Sequence, residues 1–354
     1  MSDQIELRGV TKVFGGGLFE RDRNVALEGV SLTVATDRPA ITAVAGESGS
    51  GKTTLARLLL GVIEPTSGQV LYNGKDLRKM SRDERRQFRR EVQPIFQDPF
   101  EVYNPFYKID HIFSVPVAKY QMASSKAEAR KLVHGALEMV GLRPQETLGR
   151  YPHQLSGGQR QRAMVARALL LKPRVILADE PVSMVDASLR ATILESVRRL
   201  NRELGISVVY ITHDLTTAYQ ISDNIIVLYK GRIAEAGAVE HVIRDPRHPY
   251  TQLLVQSIPQ PKPDKRWSAY ELEAGTSGRA GSTGCKFADR CPSAMQSCWD
   301  TVPPLYQREP HRVASCFMYR DVPIMDGNDV ATVFRQPARR GPDAAAAAPV
   351  SERA

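Results

Sequence analysis

Over roughly the first 235 residues, apolar and polar positions alternate between two kinds of segment. Short, almost continuously apolar runs read as strands buried on both faces: Ile41-Thr-Ala-Val-Ala45, Val175-Ile-Leu-Ala178, Val208-Val-Tyr-Ile211 and Ile225-Ile-Val-Leu-Tyr229. Between them lie amphipathic stretches with a helical period, such as Gln159–Leu171 and Leu189–Leu204. This alternation predicts an α/β architecture, a largely parallel sheet covered by helices on both faces. From Phe100 to Gln154 the pattern turns mainly helical, which predicts a helical insertion. The seven Arg and Lys residues between Arg78 and Arg90 read as a solvated helix face.

After Gly237 the composition shifts. Residues 258–284 are rich in Pro, Lys, Gly and Ser, as a linker would be, and from about residue 335 an Arg- and Pro-bearing segment with the run Ala344–Ala348 reads as disordered. A length of 354 residues suggests about two domains, and 42% hydrophobic with 25% charged residues excludes a mostly disordered or collagen-like chain. No apolar run approaches the ~18 to 20 residues needed to cross a bilayer. The N-terminus, MSDQIELRGV, lacks a signal pattern, so the protein is expected to stay in the compartment where it is made. A net charge of +9 suits nucleic acid, an anionic membrane surface or a phosphate-bearing ligand, and does not choose among them.

The chemistry starts at Gly46-Glu47-Ser48-Gly49-Ser50-Gly51-Lys52-Thr53-Thr54, which follows an apolar strand and opens a helical pattern. Its glycines let the loop wrap closely, so backbone N–H groups and a helix N-terminus face phosphate oxygens. Lys52 supplies counter-charge for the β- and γ-phosphates, and the Thr53 hydroxyl is placed to ligate Mg²⁺. A second buried strand ends in Asp179-Glu180, the usual pairing of a Mg²⁺ holder with a carboxylate that polarises water. Leu155-Ser156-Gly157-Gly158-Gln159 opens another helix and makes a second anion-binding end. One phosphate chain does not need two such ends from one subunit, so the simplest geometry places the second on a nucleotide held by a neighbouring subunit.

Together these motifs resemble the ATP-binding subunits of ABC transporters, over residues 5–235 and in family order. The resemblance implies a P-loop ATPase core with a mostly parallel sheet, an antiparallel β subdomain and a helical insertion, followed by a small cysteine-containing C-terminal domain. It implies that Gly46–Thr54 is the Walker A loop and Gln97, in Pro94-Ile-Phe-Gln97-Asp98-Pro99, a Mg²⁺ and water sensor. Ser156, Gly157, Gly158 and Gln159 become the signature motif. Asp179 and Glu180 become the Walker B aspartate and catalytic glutamate, Asp186 the D-loop aspartate and His213 the switch histidine on the γ-phosphate. Phe14 is the expected adenine-stacking aromatic, with Phe19 as runner-up. The D-loop reads Ser183-Met184-Val185-Asp186 where the family usually has Ser-Ala-Leu-Asp, an exchange that keeps the aspartate. The expected domains are 1–257 for the ATPase (helical subdomain about 100–165), 258–284 for the linker, 285–325 for the cysteine domain and 326–354 for a disordered tail.

Further matches narrow the resemblance to the oligopeptide/dipeptide importer ATPases: Asn104-Pro105, Tyr151-Pro152-His153-Gln154, and Asp245-Pro246-Arg-His248-Pro249-Tyr250-Thr251. That subgroup also serves nickel and some oligosaccharides. The resemblance implies two integral membrane permease subunits, a second ATPase subunit (same or paralogous), an extracytoplasmic substrate-binding protein, no nucleic acid, and a peripheral place on the cytoplasmic face of the cell membrane. A soluble ABC-type ATPase acting on nucleic acid or ribosomes is the alternative. Lys52 and Ser156 lie only 104 positions apart without heptads, and the chain holds one ATPase core, which disfavours that alternative.

The four cysteines, Cys285, Cys291, Cys298 and Cys316, all fall in one short Pro-bearing segment. Wide spacing lacks the tight pairs of most structural zinc sites and is compatible with a [4Fe–4S] cluster; both remain open from the residues alone. The peptide-importer ATPases that this tail resembles are similar in carrying such a cluster, which here would be structural.

Overall fold

In the computed structural model, which describes residues 4–15, 23–96, 103–183, 187–258 and 283–335, the chain divides into two compact units. Among the described residues, one holds those up to 79 together with those from 210 to 335, and the other holds those from 80 to 209.

The first unit opens with β1 (Gln4–Phe14) and β2 (Asn24–Ala35), paired antiparallel with Ile5 opposite Val34 and Leu7 opposite Leu32. Two-residue alternation puts these four side chains in the core. β3 (Ile41–Ala45), α1 (Lys52–Leu59), β4 (Ser67–Tyr72) and β5 (Lys75–Asp76) follow, and β4 pairs with the other edge of β1. The resulting antiparallel sheet is ordered β2-β1-β4-β5.

The second unit runs through α2 (Arg82–Glu91), β6 (Val92–Ile95), α3 (Asp110–Lys119), α4 (Lys126–Met139), α5 (Pro144–Thr147), α6 (Gly157–Leu170), β7 (Val175–Asp179) and α7 (Ala187–Arg202). Among the described residues no strand lies between Ile95 and Val175, so this stretch is helical, and β6 lies parallel to β7 with Val92 opposite Val175. In α2 a capping box joins Ser81 and Glu84 and only Phe88 is buried, which leaves its arginines on a solvated face. α6 is rich in Ala, Leu and Arg, strong helix formers, and buries Ala163, Met164, Ala166 and Ala168.

β8 (Ser207–Thr212), buried at every position, returns the chain to the first unit. There α8 (Leu215–Ile221) leads to β9 (Asn224–Tyr229) and β10 (Arg232–Ala238). β9 lies parallel to β3, with Val44 opposite Ile226, and antiparallel to β10. Every residue of β3 and β9 is buried, which is why these runs carry no polar face. α9 (Val239–Arg244), α10 (Pro249–Gln256), α11 (Gln296–Asp300), β11 (Tyr306–Glu309) and β12 (Arg312–Ala314) complete the unit.

Residues 285–325, expected as a separate small domain, instead extend this unit: β12 pairs antiparallel with β10, Glu235 opposite Ala314, and β11 adds to β12. The segment is too short to bury a core of its own, and Val313 and Ala314 find cover on the existing sheet. Residues 326–335, expected within the tail, also pack. The Thr33 N–H donates to Asp329 at 3.0 Å, and Val330 is fully buried. The linker from 259 to 282, Phe19, Gln97, Asp186 and the tail beyond 335 lie outside the described residues.

Candidate nucleotide site

The phosphate loop leaves β3 at a position only glycine accepts. Gly46 has φ of 150°, and a Cβ there would stand 2.3 Å from the Leu228 carbonyl oxygen and 2.7 Å from Ser50 Oγ. The loop then tightens, with the Ser50 N–H donating to the Glu47 carbonyl (3.2 Å) and the Gly231 N–H to the Ser50 carbonyl (2.9 Å). Lys52 is buried. Its ammonium donates to the carbonyls of Gly46 (2.7 Å) and Glu47 (2.9 Å), which bends the loop around the charge. Gly51 precedes α1, and no side chain caps that helix. Thr53 and Thr54 sit in this turn, Thr53 exposed. Buried Lys52, uncapped N–H groups and a loop free of acidic side chains other than Glu47 make a seat for a phosphate chain.

Two more expected residues belong to the same unit. His213 is exposed just after β8, where Asp214 caps α8 by accepting from the Thr216 N–H at 2.8 Å. Phe14 ends β1, 40% exposed, with Lys12 Nζ 5.1 Å from its ring centroid.

The second unit carries the other set. Asp179 ends β7 and Glu180 follows with φ of 43°, a left-handed conformation rare for a side chain of that size. The Ser183 N–H and hydroxyl both donate to the Glu180 carbonyl, at 3.2 and 3.0 Å, and hold that turn. Ser156 caps α6: its Oγ accepts from the Gln159 N–H (3.2 Å), and Gln159 Oε1 accepts from the Ser156 N–H (2.9 Å). Gly157 and Gly158 fill the first turn between them. Tyr103 supports this end, its buried hydroxyl donating to the Arg160 carbonyl at 2.5 Å, and burial pushes that phenol's pKa up.

The four cysteines line one small cavity together with His248 and Phe287. Burial pushes the thiols of Cys285, Cys291 and Cys316 above the ordinary range, Cys316 to about 11. The four thiols thus share one cavity wall. Among the described residues, however, no three His, Cys, Asp or Glu side chains are already arranged around a metal position.

Sequence reasoning missed two supports of the phosphate loop. Tyr250 is fully buried and its hydroxyl accepts the Glu47 N–H at 2.8 Å; Arg290 pairs with the Glu47 carboxylate at 2.9 and 3.1 Å. Tyr250 and Arg290 were legible only as members of subgroup stretches, and nothing in the spacing joined either to the phosphate loop.

Comparison with known proteins follows these parts. The family described as ABC transporter matches residues 27–183, and that described as oligopeptide/dipeptide transporter, C-terminal region, matches residues 234–298. A peptide import ATP-binding protein of Brucella ovis is 42% identical over 82% of this chain and 90% of its own length. The oligopeptide transport ATP-binding protein OppF of Salmonella typhimurium is 40% identical over 82% of this chain and 86% of its own length. Among solved structures, the ATP-binding cassette MJ0796, described as a dimer in a post-hydrolysis state bound to ADP and Pi, aligns with a TM-score of 0.59 at 30% identity. That alignment covers 66% of this chain and 98% of the cassette. With a built phosphate loop and relatives matched along most of their length, this chain belongs to the ATP-binding proteins of ABC transporters, in the oligopeptide/dipeptide branch.

Proposed function

We propose that this chain is the ATP-hydrolysing subunit of an importer that moves peptides, or a related small solute, across the cytoplasmic membrane. The observation that carries the reading is the pairing, on one chain, of an intact phosphate loop around buried Lys52 with the oligopeptide/dipeptide C-terminal region. ATP hydrolysis is the chemistry of the family, and the soluble nucleic-acid or ribosome ATPase is disfavoured by that C-terminal match.

In this reading Lys52 and the α1 N-terminus bind the phosphates of ATP, and Phe14 stacks on its adenine. Thr53, Gln97 and Asp179 would hold Mg²⁺, which supplies charge neutralisation on the β- and γ-phosphates when bound. Glu180 polarises the attacking water, and His213 meets the γ-phosphate. Ser156, Gly157, Gly158 and Gln159 of one subunit close on the nucleotide of a second, same or paralogous, with Asp186 at that contact. ATP then acts as removable glue between two ATPase subunits, and its hydrolysis reopens them. Two integral membrane permeases would receive this motion through the helical stretch of the second unit, with an extracytoplasmic binding protein delivering cargo. No helix among the described residues is long and apolar enough to span a membrane, which suits a peripheral place on the cytoplasmic face.

Cys285, Cys291, Cys298 and Cys316 would hold a [4Fe–4S] cluster, or Zn²⁺ as the alternative. Either supplies a cross-link between chain positions that do not bury enough surface to hold themselves. Iron, sulfide and zinc analysis after anaerobic purification separates these: about four iron per chain supports the cluster, and one zinc in a colourless protein rejects it. For the function itself, the chain should co-purify with integral membrane subunits and show ATPase activity stimulated by a peptide-loaded binding protein. Co-purification with ribosomes or nucleic acid instead would overturn the importer reading.

A further inference from the structure

Every polar group of Glu47 in the phosphate loop is held from a different direction. Its N–H donates to Tyr250 Oη (2.8 Å), its carbonyl accepts from Lys52 Nζ (2.9 Å), and its carboxylate takes both ends of the Arg290 guanidinium (2.9 and 3.1 Å). Arg290 comes from the cysteine-bearing segment, in the short turn Ala288–Arg290 directly before Cys291. The guanidinium also lies over two aromatic rings, 5.6 Å from the Phe287 centroid and 5.8 Å from that of Tyr229. Phe287 in turn packs against Tyr229 and Tyr250, the residue that holds the Glu47 N–H. Neighbouring ion pairs seat the segment on the same unit, Lys286 with Glu28 and Asp289 with Lys230, both at 3.5 Å.

We propose that Arg290 is a positioning residue for the phosphate-binding loop, through which the cysteine-bearing segment sets the affinity of the chain for ATP. The inference rests on the ATPase reading above. Two effects act in one direction. The bidentate pair fixes the loop residue whose carbonyl holds Lys52, so the ammonium and the loop backbone keep one geometry. The guanidinium also cancels a carboxylate that would otherwise repel a polyanionic ligand from within its own binding loop. Arg290 is proposed to act through Glu47, to which its guanidinium is paired.

The pair is part-exposed, with side chains 25% and 40% accessible, so its effect is that of a screened ion pair and not of a buried one. Loss of Arg290 should weaken MgATP binding about 2- to 5-fold, the range of such pairs. The test titrates MgATP into the purified full-length chain and its Arg290→Gln, Glu47→Gln and doubly substituted variants, following nucleotide fluorescence. Arg290→Gln should raise Kd by that factor with the thermal unfolding midpoint held. Glu47→Gln should raise it less, since it removes the repulsion along with the tether. In the Glu47→Gln background, Arg290→Gln should change Kd by less than about 1.5-fold. An unchanged Kd in the single Arg290 variant overturns the inference, and so does an equal rise in both backgrounds. Turnover by the assembled transporter at saturating ATP should stay within about twofold in Arg290→Gln. A native complex with no ATP turnover would count against the parent reading and leave the binding comparison standing.

Discussion

Gly46→Ala adds one methyl group to the phosphate loop, and the structure says where it goes. The new Cβ would stand 2.3 Å from the backbone oxygen of Leu228, inside fully buried β9, and 2.7 Å from Ser50 Oγ. Neither is the loose end of a long side chain, so the loop must move. Overpacking of this kind costs about 1 to 3 kcal/mol. The backbone at φ of 150° adds about 1 to 3 kcal/mol for any residue with a Cβ. A free chain escapes both by displacing Gly46, and gives up the 2.7 Å bond from Lys52 to its carbonyl. Binding must then restore the loop, so about 4 kcal/mol should appear as a roughly 10³-fold rise in Kd for MgATP. Gly49→Ala is the matched control. Its φ is also positive, 76°, but nothing lies within 4 Å of the added atom. It should carry only the conformational cost of about 1 to 2 kcal/mol, hence a rise of about 5- to 30-fold. Calorimetric titration of both variants separates the two contributions. Equal Kd values for Gly46→Ala and Gly49→Ala would refute the packing argument.

Lys52→Ala should abolish measurable ATP binding to the isolated chain, whereas Ser156→Arg should leave that binding intact and block ATP-dependent association of two ATPase subunits. Equal loss of ATP affinity in both would argue against a site shared between subunits. Glu235 is fully buried, and burial pushes its carboxyl up to about 7 although it accepts the backbone N–H groups of Arg247 and His248. Because this pKa lies above the ordinary 4.5, its contribution to stability is full below pH 4.5 and is lost as pH rises through about 7. Glu235→Gln keeps an acceptor for both donors. It should be neutral near pH 4.5 and stabilise the first unit by about 3 kcal/mol at pH 8 in urea unfolding, and a difference independent of pH would contradict this.

What the sequence made legible was whatever is written in consecutive residues. The runs at 41–45, 175–178, 208–211 and 225–229 became β3, β7, β8 and β9 because a strand buried on both faces has no polar position to blur its limits. The phosphate loop was legible for a related reason, since its chemistry needs glycines, a lysine and a threonine at fixed offsets. The attachment of the cysteine-bearing segment to the sheet of the first unit was not legible. The segment's cover comes from pairing Ala314 with Glu235, and no local pattern announces that a strand edge 79 residues earlier is free to be extended. The tie from Arg290 to the loop was hidden for the same cause: its partner Glu47 is 243 positions away, and a lone arginine in a polar segment looks like surface charge. Left-handed Glu180 shows a third limit, because its backbone conformation is imposed by the turn after β7 and the bonds from Ser183, not by its own preference.

The central claim is that two copies of this ATPase site, or this one and a related one, close on ATP and reopen by hydrolysis through Glu180. Glu180→Gln keeps the size and hydrogen-bonding reach of the side chain and removes the carboxylate that we propose polarises water. The decisive measurement is ATP turnover by the purified transporter carrying this substitution, alongside ATP-dependent association of its ATPase subunits. The account predicts turnover reduced at least about 100-fold, with the subunits held together by unhydrolysed ATP. Turnover within about twofold of the native complex, or subunits that fail to associate when ATP is bound, would contradict it.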